Sequence, residues 1–349
     1  MSRSLSVVCT AMQLVNCIEA VKYYHSGLND LVILAGVDRV EQIDNLLEEY
    51  SPFFRFDKVF KFNPSAQKQM TVIKEFLFIR KISSATKYDI VLVSNYKQPK
   101  QKYLLKRICQ RSEDVDIVLI DDGLAVCEIA RRRNQECVSK RANVYYMSKI
   151  YRLIYKRFIC DFVPERLEYF TVYHNLEIIK NDTIVQNEYA FIKNNNLGIP
   201  PDIEVSNSVV FLGQPLVGCY GMSRLDKKRY CKYIEDALSQ CGMSDFLVYY
   251  FPHPVENTHL TLEEDIASMF RIQVSNVPFE IISLKLDYKI PIMGFYSSAL
   301  VNVQKFNKNR KIYAIYFDEI SDSNDSRFRK VVNESYDYMK SIGIKIINR

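Results

Sequence analysis

Short apolar runs and amphipathic stretches take turns along most of this chain, and that alternation leaves few folds open to it. Leu5 to Cys9 precedes the helical pattern Met12 to Tyr24, and Leu31 to Ala35 precedes Val40 to Glu49. Ile90 to Ser94 precedes Gln101 to Gln110, and Asp116 to Ile120 precedes Leu124 to Arg132. Apolar runs this short, bounded by polar residues, read as strands buried on both faces, and strands that return through helices are parallel with right-handed crossovers. The pattern weakens between about Phe162 and Asn207, where Asn194-Asn195-Asn196-Leu197-Gly198-Ile199-Pro200-Pro201 has the polar, Pro-rich character of a linker. Alternation resumes with Ser208 to Leu212, Lys227 to Gln240, Phe246 to Phe251, Phe279 to Leu284, Ser297 to Val303, Lys311 to Tyr316, Phe328 to Ile342 and Ile344 to Ile347.

A chain of 349 residues exceeds one ordinary core and suits two domains. The expected division is an α/β domain over 1–160, a connecting segment over 161–206 and a second α/β domain over 207–349. Two Rossmann-type, doubly wound domains facing a central cleft describe the GT-B arrangement of sugar-nucleotide transferases, which other two-domain α/β enzymes share. Hydrophobic residues make up 48% and charged residues 25%, a balance that excludes a disordered or membrane-embedded chain. No apolar run approaches the ~18 residues of a membrane span, and Thr10, Gln13 and Asn16 interrupt the apolar start, so no secretory signal is read there. The nine cysteines are odd in number and form no CxxC pair, which points to reduced thiols in a cytoplasmic protein and away from a zinc site. The net charge of +6 gathers at Arg131-Arg132-Arg133, Lys140-Arg141 and Lys227-Lys228-Arg229. These clusters are either solvated helix faces or attractors of an anionic substrate or membrane surface. The 41 interspersed acids and the lack of a recognition motif argue against nucleic acid.

Chemistry gathers at strand ends. Ile117-Val118-Leu119-Ile120 runs into Asp121-Asp122-Gly123, and two carboxylates cannot both be buried unpaired at that point. One faces outward, able to take a proton from an acceptor hydroxyl, or the motif is a turn with capping acids. The apolar run ending at Phe251 leads into Pro252-His253-Pro254, where the prolines stiffen a histidine suited to bind and protonate a phosphate. Ser297 and Ser298 open a helical pattern whose N–H groups favour an anion. Glu280 suits the two hydroxyls of a ribose, Phe279 and Phe295 offer faces to a base, and Gly213-Gln214 follows a strand as a turn or a loop lining the nucleotide. No GxGxxG or GxxxxGK[ST] loop occurs, and no DxD-like pair holds a metal diphosphate. A nucleoside monophosphate donor, with no metal and no further cofactor, is therefore the expectation.

These residues resemble the bacterial sialyltransferases, in particular glycosyltransferase family 52, which acts on lipooligosaccharide. Asp121-Asp122-Gly123 is similar to that group's acidic-acidic-glycine motif, His253-Pro254 to its HP motif and Ser297-Ser298 to its serine motif. Val8 to Leu14 and Phe211-Leu212-Gly213-Gln214-Pro215 are similar too, so the likeness spans nearly the whole chain. The resemblance implies inverting, metal-independent transfer of sialic acid from CMP-sialic acid to a terminal galactose, with an α-2,3 linkage. It implies an acceptor-side domain over 1–160 and a CMP-donor-binding domain over 207–349, with Asp122 as general base beside Asp121 as a further catalytic acid, Asp226 as rival base, His253 at the departing phosphate, Ser297 and Ser298 as phosphate ligands and Glu280 at the ribose. The acceptor would be a galactose-ended oligosaccharide or glycolipid of a capsule or lipooligosaccharide, reached from the cytoplasmic face of the membrane; peripheral membrane contact and a homodimer stay open. Two other readings remain: a related transferase using a CMP-keto sugar or UDP-glucose, and a non-catalytic nucleotide- or carbohydrate-binding protein.

Overall fold

A computed structural model describes the chain apart from residues 1, 26, 63–67, 113, 137–158, 160–161, 198–200, 218–224, 255, 257–260, 263–268, 276, 318–325 and 348–349. The chain forms two compact units, Met1–Asn195 and Asn196–Arg349. The first holds a seven-stranded parallel sheet of β1 (Arg3–Val8), β2 (Leu28–Ile33), β3 (Lys58–Lys61), β4 (Ile90–Val93), β5 (Asp116–Ile120), β6 (Glu168–Thr171) and β7 (Thr183–Gln186), in the order β3-β2-β1-β4-β5-β6-β7. Helices α1 (Ala11–Tyr23), α2 (Val37–Tyr50), α3 (Lys68–Ala85), α4 (Pro99–Cys109) and α5 (Ala125–Glu136) follow the first five strands in turn. Leu5, Val7 and Val8 of β1 and Leu31 and Val32 of β2 are completely buried, as central parallel strands covered on both faces must be. Thr10 starts α1 by accepting the Gln13 N–H at 3.3 Å.

The expected connecting segment 161–206 is a correction. Its first part supplies β6, β7 and α6 (Ala190–Asn194) to the first unit, and the division falls between Asn195 and Asn196. Polar side chains of α1 fasten this stretch. The Glu19 carboxylate accepts from the Phe191 and Ile192 N–H groups at 3.1 and 2.8 Å, and Asn187 Nδ2 donates to Asn16 Oδ1 at 3.2 Å. The strands are short and β7 is half-exposed, so they lack the continuous apolar run of a central strand.

The second unit holds a six-stranded parallel sheet of β8 (Ser208–Leu212), β9 (Leu247–Phe251), β10 (Phe270–Ile272), β11 (Ile292–Gly294), β12 (Ile312–Ile315) and β13 (Lys345–Ile347), in the order β10-β9-β8-β11-β12-β13. Its helices are α7 (Lys227–Gln240), α8 (Phe279–Ser283), α9 (Ser298–Phe306) and α10 (Ser326–Ser341). Both sheets wind outward from a central pair of strands, β1 and β4 in one and β8 and β11 in the other. Such a point, at the carboxyl ends of the strands, is where an open parallel sheet leaves room for a ligand. Arg310 closes the loop before β11 by donating to the carbonyls of Leu286, Asp287 and Ile290 at 2.6, 2.8 and 3.2 Å. Among the described residues no helix is long and apolar enough to cross a membrane.

Candidate active site

In the second unit, β8 ends at Leu212 and passes into Gly213-Gln214, while β11 ends at Gly294 and passes into Phe295-Tyr296-Ser297. On the other side of β8, β9 ends at Phe251 and passes into His253 and Pro254, both exposed. The exits of β9 and β11 flank that of β8 and lie two strand spacings apart, about 10 Å. The fold thus brings Gly213, Gln214, His253, Pro254, Ser297 and Ser298 to one edge of one sheet, around its switch point. Ser297 has extended backbone (φ −77°, ψ 132°) and caps α9 by accepting the Ala299 N–H at 3.3 Å. Its hydroxyl proton stays available to a ligand, beside the positive end of the helix.

Beneath this edge runs a hydrogen-bonded chain. The Gln214 N–H donates to Tyr230 Oη at 3.2 Å, the hydroxyls of Tyr230 and Tyr250 are 2.9 Å apart, and the Tyr250 O–H donates to Glu256 Oε1 at 2.6 Å. Tyr250 has one proton and gives it to Glu256, so Tyr230 is the donor between the two phenols. Burial lifts both phenols well above their ordinary range and also raises the Glu256 carboxyl. The other carboxylate oxygen, Oε2, accepts the His253 N–H at 3.0 Å. Gly213 makes this possible: a Cβ there would lie 2.2 Å from Glu256 Oε2 and 2.7 Å from Tyr250 Oη.

Phe279 and Glu280 enter from α8. The Phe279 ring packs edge-on against Phe251 with centroids 4.8 Å apart, at the base of the His253 loop. Glu280 is buried, and its Oε1 accepts from Asn302 Nδ2 of α9 at 3.2 Å; burial raises its carboxyl. Phe295 is a correction. It is completely buried among Phe211, Tyr230, Tyr233 and Phe317 and offers no face to a base.

In the first unit the carboxyl end of β5 carries the paired acids. Asp121 Oδ2 accepts the Val172 N–H at 2.8 Å and its carbonyl accepts from Asn16 Nδ2 at 3.1 Å, so it ties β5 to the end of β6 and to α1. Gly123 turns the chain with φ +59°, in the left-handed region that its sequence context anticipates. Asp122 is half-buried, and desolvation raises its carboxyl despite a hydrogen bond from Gln13 and the charge of Arg39. Gln13 Oε1 already accepts the Cys9 N–H at 2.7 Å, so its amide NH2 is the group that serves Asp122. The neighbouring Cys9 thiol is pushed up to about 11, chiefly by burial, and stays protonated at neutral pH. Asp226, the rival base, is exposed and caps α7 by accepting the Arg229 N–H at 2.8 Å.

The basic clusters divide. Arg131 and Arg132 pair with Glu128 on their own helix, and Arg133 is buried against Asp182 at 2.7 Å; Lys140-Arg141 lies outside the described residues. Among the described residues no group of three or more His, Cys, Asp or Glu side chains is placed to hold a metal ion. Sequence reasoning passed over Glu256, Tyr250, Tyr230 and Gln13. The one linear cue was an acid three residues after a histidine framed by prolines.

Residues 4–316 match the family model described as Alpha-2,8-polysialyltransferase (POLYST). No curated protein sequence matches the chain. A solved UDP-N-acetylglucosamine 2-epimerase is similar with a TM-score of 0.52 and 11% identity, over 98% of this chain and 90% of the other. An alpha/beta-galactoside alpha-2,3-sialyltransferase from Photobacterium phosphoreum is similar with a TM-score of 0.50 and 10% identity, over 99% and 98%. At such identities the likeness speaks for the fold alone, and the fold is the GT-B-like pair of parallel α/β domains expected from the alternation. The family match agrees with the sialyltransferase part of the resemblance and names a different family from family 52.

Proposed function

Since this chain belongs to the alpha-2,8-polysialyltransferase family, we propose that it is a glycosyltransferase that moves sialic acid from CMP-sialic acid onto a sialic-acid-ended glycan. The observation that carries this reading is the extent of the family match, which runs from β1 into the residues after β12 and so takes in both switch points. In the reaction, Asp122 removes the proton of the acceptor hydroxyl, the new C–O bond forms with inversion at the anomeric carbon, and the bond to the CMP phosphate breaks. His253 protonates or hydrogen-bonds the departing phosphate, Ser297 and Ser298 bind its oxygens with the start of α9, and Glu280 takes the ribose hydroxyls. The raised carboxyl of Asp122 supports its part, because burial makes its carboxylate more basic than an ordinary aspartate and so a better proton acceptor. Asp226 is the weaker candidate, since its carboxylate is spent on a helix cap.

The linkage follows the family name, which makes a hydroxyl of sialic acid the acceptor. The galactose acceptor and α-2,3 linkage implied by the motif resemblance form the competing arm. We place the enzyme in the cytoplasm, working toward a capsule or lipooligosaccharide. The test incubates the protein with CMP-sialic acid and either an α-2,8-disialyl lactoside or an unsialylated lactoside. Elongation of the first alone supports the proposal, and elongation of the second alone transfers it to the α-2,3 reading. No product from either, with CMP binding retained, leaves a nucleotide-binding protein.

A further inference from the structure

We propose that Glu256 is a positioning residue of the donor site, holding the His253 loop against the exit of β8 through the phenol chain that ends on Gln214. This rests on the transferase reading for its functional meaning and on geometry for its substance. Pro252 and Pro254 have no N–H, so within Pro252-His253-Pro254 the backbone offers one donor, the N–H of His253. Glu256 Oε2 takes that donor at 3.0 Å, and the Glu256 N–H returns a bond to the His253 carbonyl at 2.8 Å. The acid thus holds the one backbone donor of this tripeptide.

The same carboxylate reaches sideways. Oε1 ends a chain in which every proton points toward Glu256, from the Gln214 backbone through Tyr230 and Tyr250. A negative charge at one end polarises all three bonds in the same sense. The carboxylate lies in the notch that Gly213 leaves, so the exits of β8 and β9 are keyed to each other. A third exit joins through Tyr296, whose hydroxyl bonds the Gln214 side chain. Thr261 also bonds Glu256, so its oxygens are occupied by protein and it acts through His253 and not on substrate. Small displacements of such a loop are costly, since about 1 Å of misplacement at a reacting group lowers turnover by ~10²-fold.

The test is a double-mutant cycle on kcat and on calorimetric CMP affinity, with Glu256→Ala, Glu256→Gln and Tyr250→Phe each made in the wild type and in His253→Ala. It is read beside the backbone amide signal of His253 in 15N-histidine-labelled protein, identified by its loss in His253→Ala. Glu256→Ala is expected to lower kcat by about 10- to 100-fold. Glu256→Gln, which keeps an acceptor, should recover most of that loss. In the His253→Ala background the further loss should shrink to under about twofold, because the acid acts through the missing residue. The His253 amide should shift strongly in Glu256→Ala and less in Glu256→Gln. Equal losses in both backgrounds, or an unmoved His253 amide, overturn the proposal. If Glu256→Ala does not fold, Glu256→Gln and Tyr250→Phe carry the same comparison. If the wild type turns over no CMP-sugar, the transferase reading fails on its own, and the amide signal still decides the positioning role.

Discussion

Asp121 and Asp122 are chemically identical neighbours, and only their surroundings divide them. The first holds the backbone of Val172 and the second faces Gln13 with its carboxyl raised by burial. Asp122→Asn is expected to lower kcat by ~10²- to 10⁴-fold with the fold intact, whereas Asp121→Asn should cost about 1–3 kcal/mol of stability. Steady-state kinetics and thermal melts on the two variants check this. The raised carboxyl also sets a pH limit. As the proposed base, Asp122 must be ionised to work, so kcat/KM should fall with acid at a pH above the ordinary aspartate range, and Asp122→Asn should flatten that limb. Glu280 gives a second pH dependence. Its folded-state carboxyl is raised, so its contribution to stability is present below the unfolded value and is lost as pH rises through the folded one. Glu280→Gln should therefore raise the melting temperature more at pH 8 than at pH 5, and weaken CMP binding if the ribose role holds. A larger gain at pH 5 would contradict the assignment of a buried charge.

Elements differ in how plainly their residues announce them. The helix Lys227–Gln240 has the bounds its pattern gives, because its apolar positions recur on one face and Asp226 caps its start. The buried strands β5 and β8 likewise coincide with unbroken apolar runs. β6 and the 18-residue helix α3 were missed, and four further missed strands share one trait. β3 and β7 are exposed or half-exposed edge strands of four residues, and β10 and β11 have three, too short for any periodicity to register. The strand ends that carry Asp122, His253 and Ser297 were legible because polar residues abut apolar ones there. The Tyr230-Tyr250-Glu256 chain was not, since it joins side chains of three elements that only folding brings together. At this scale the start of α9 makes a prediction: Ser297→Ala removes a cap and should cost about 0.5–2 kcal/mol. Its loss of CMP affinity should exceed that of Ser341→Ala, a helix-end serine remote from any strand exit, and equal affinities in the two variants would count against a phosphate role.

At the scale of the whole chain, two units with separate sheets should be distinguishable in calorimetry. On the proposed donor site, CMP should raise the transition of residues 196–349 by an increment that grows with ligand concentration, about 2.7 kcal/mol at a hundredfold excess over Kd. Arg133→Met leaves Asp182 buried without its cation and should destabilise the first unit by ~3–5 kcal/mol, with the CMP-dependent shift unchanged. A CMP shift confined to the first unit's transition would reverse the donor assignment. The notch at Gly213 also carries a consequence for how this chain can evolve. Positions 213 and 256 compete for one volume, so a larger residue at 213 requires the Glu256 carboxylate to shift or shrink. Survivors of a library randomised at both should pair glycine with glutamate, or a larger residue at 213 with a truncated one at 256.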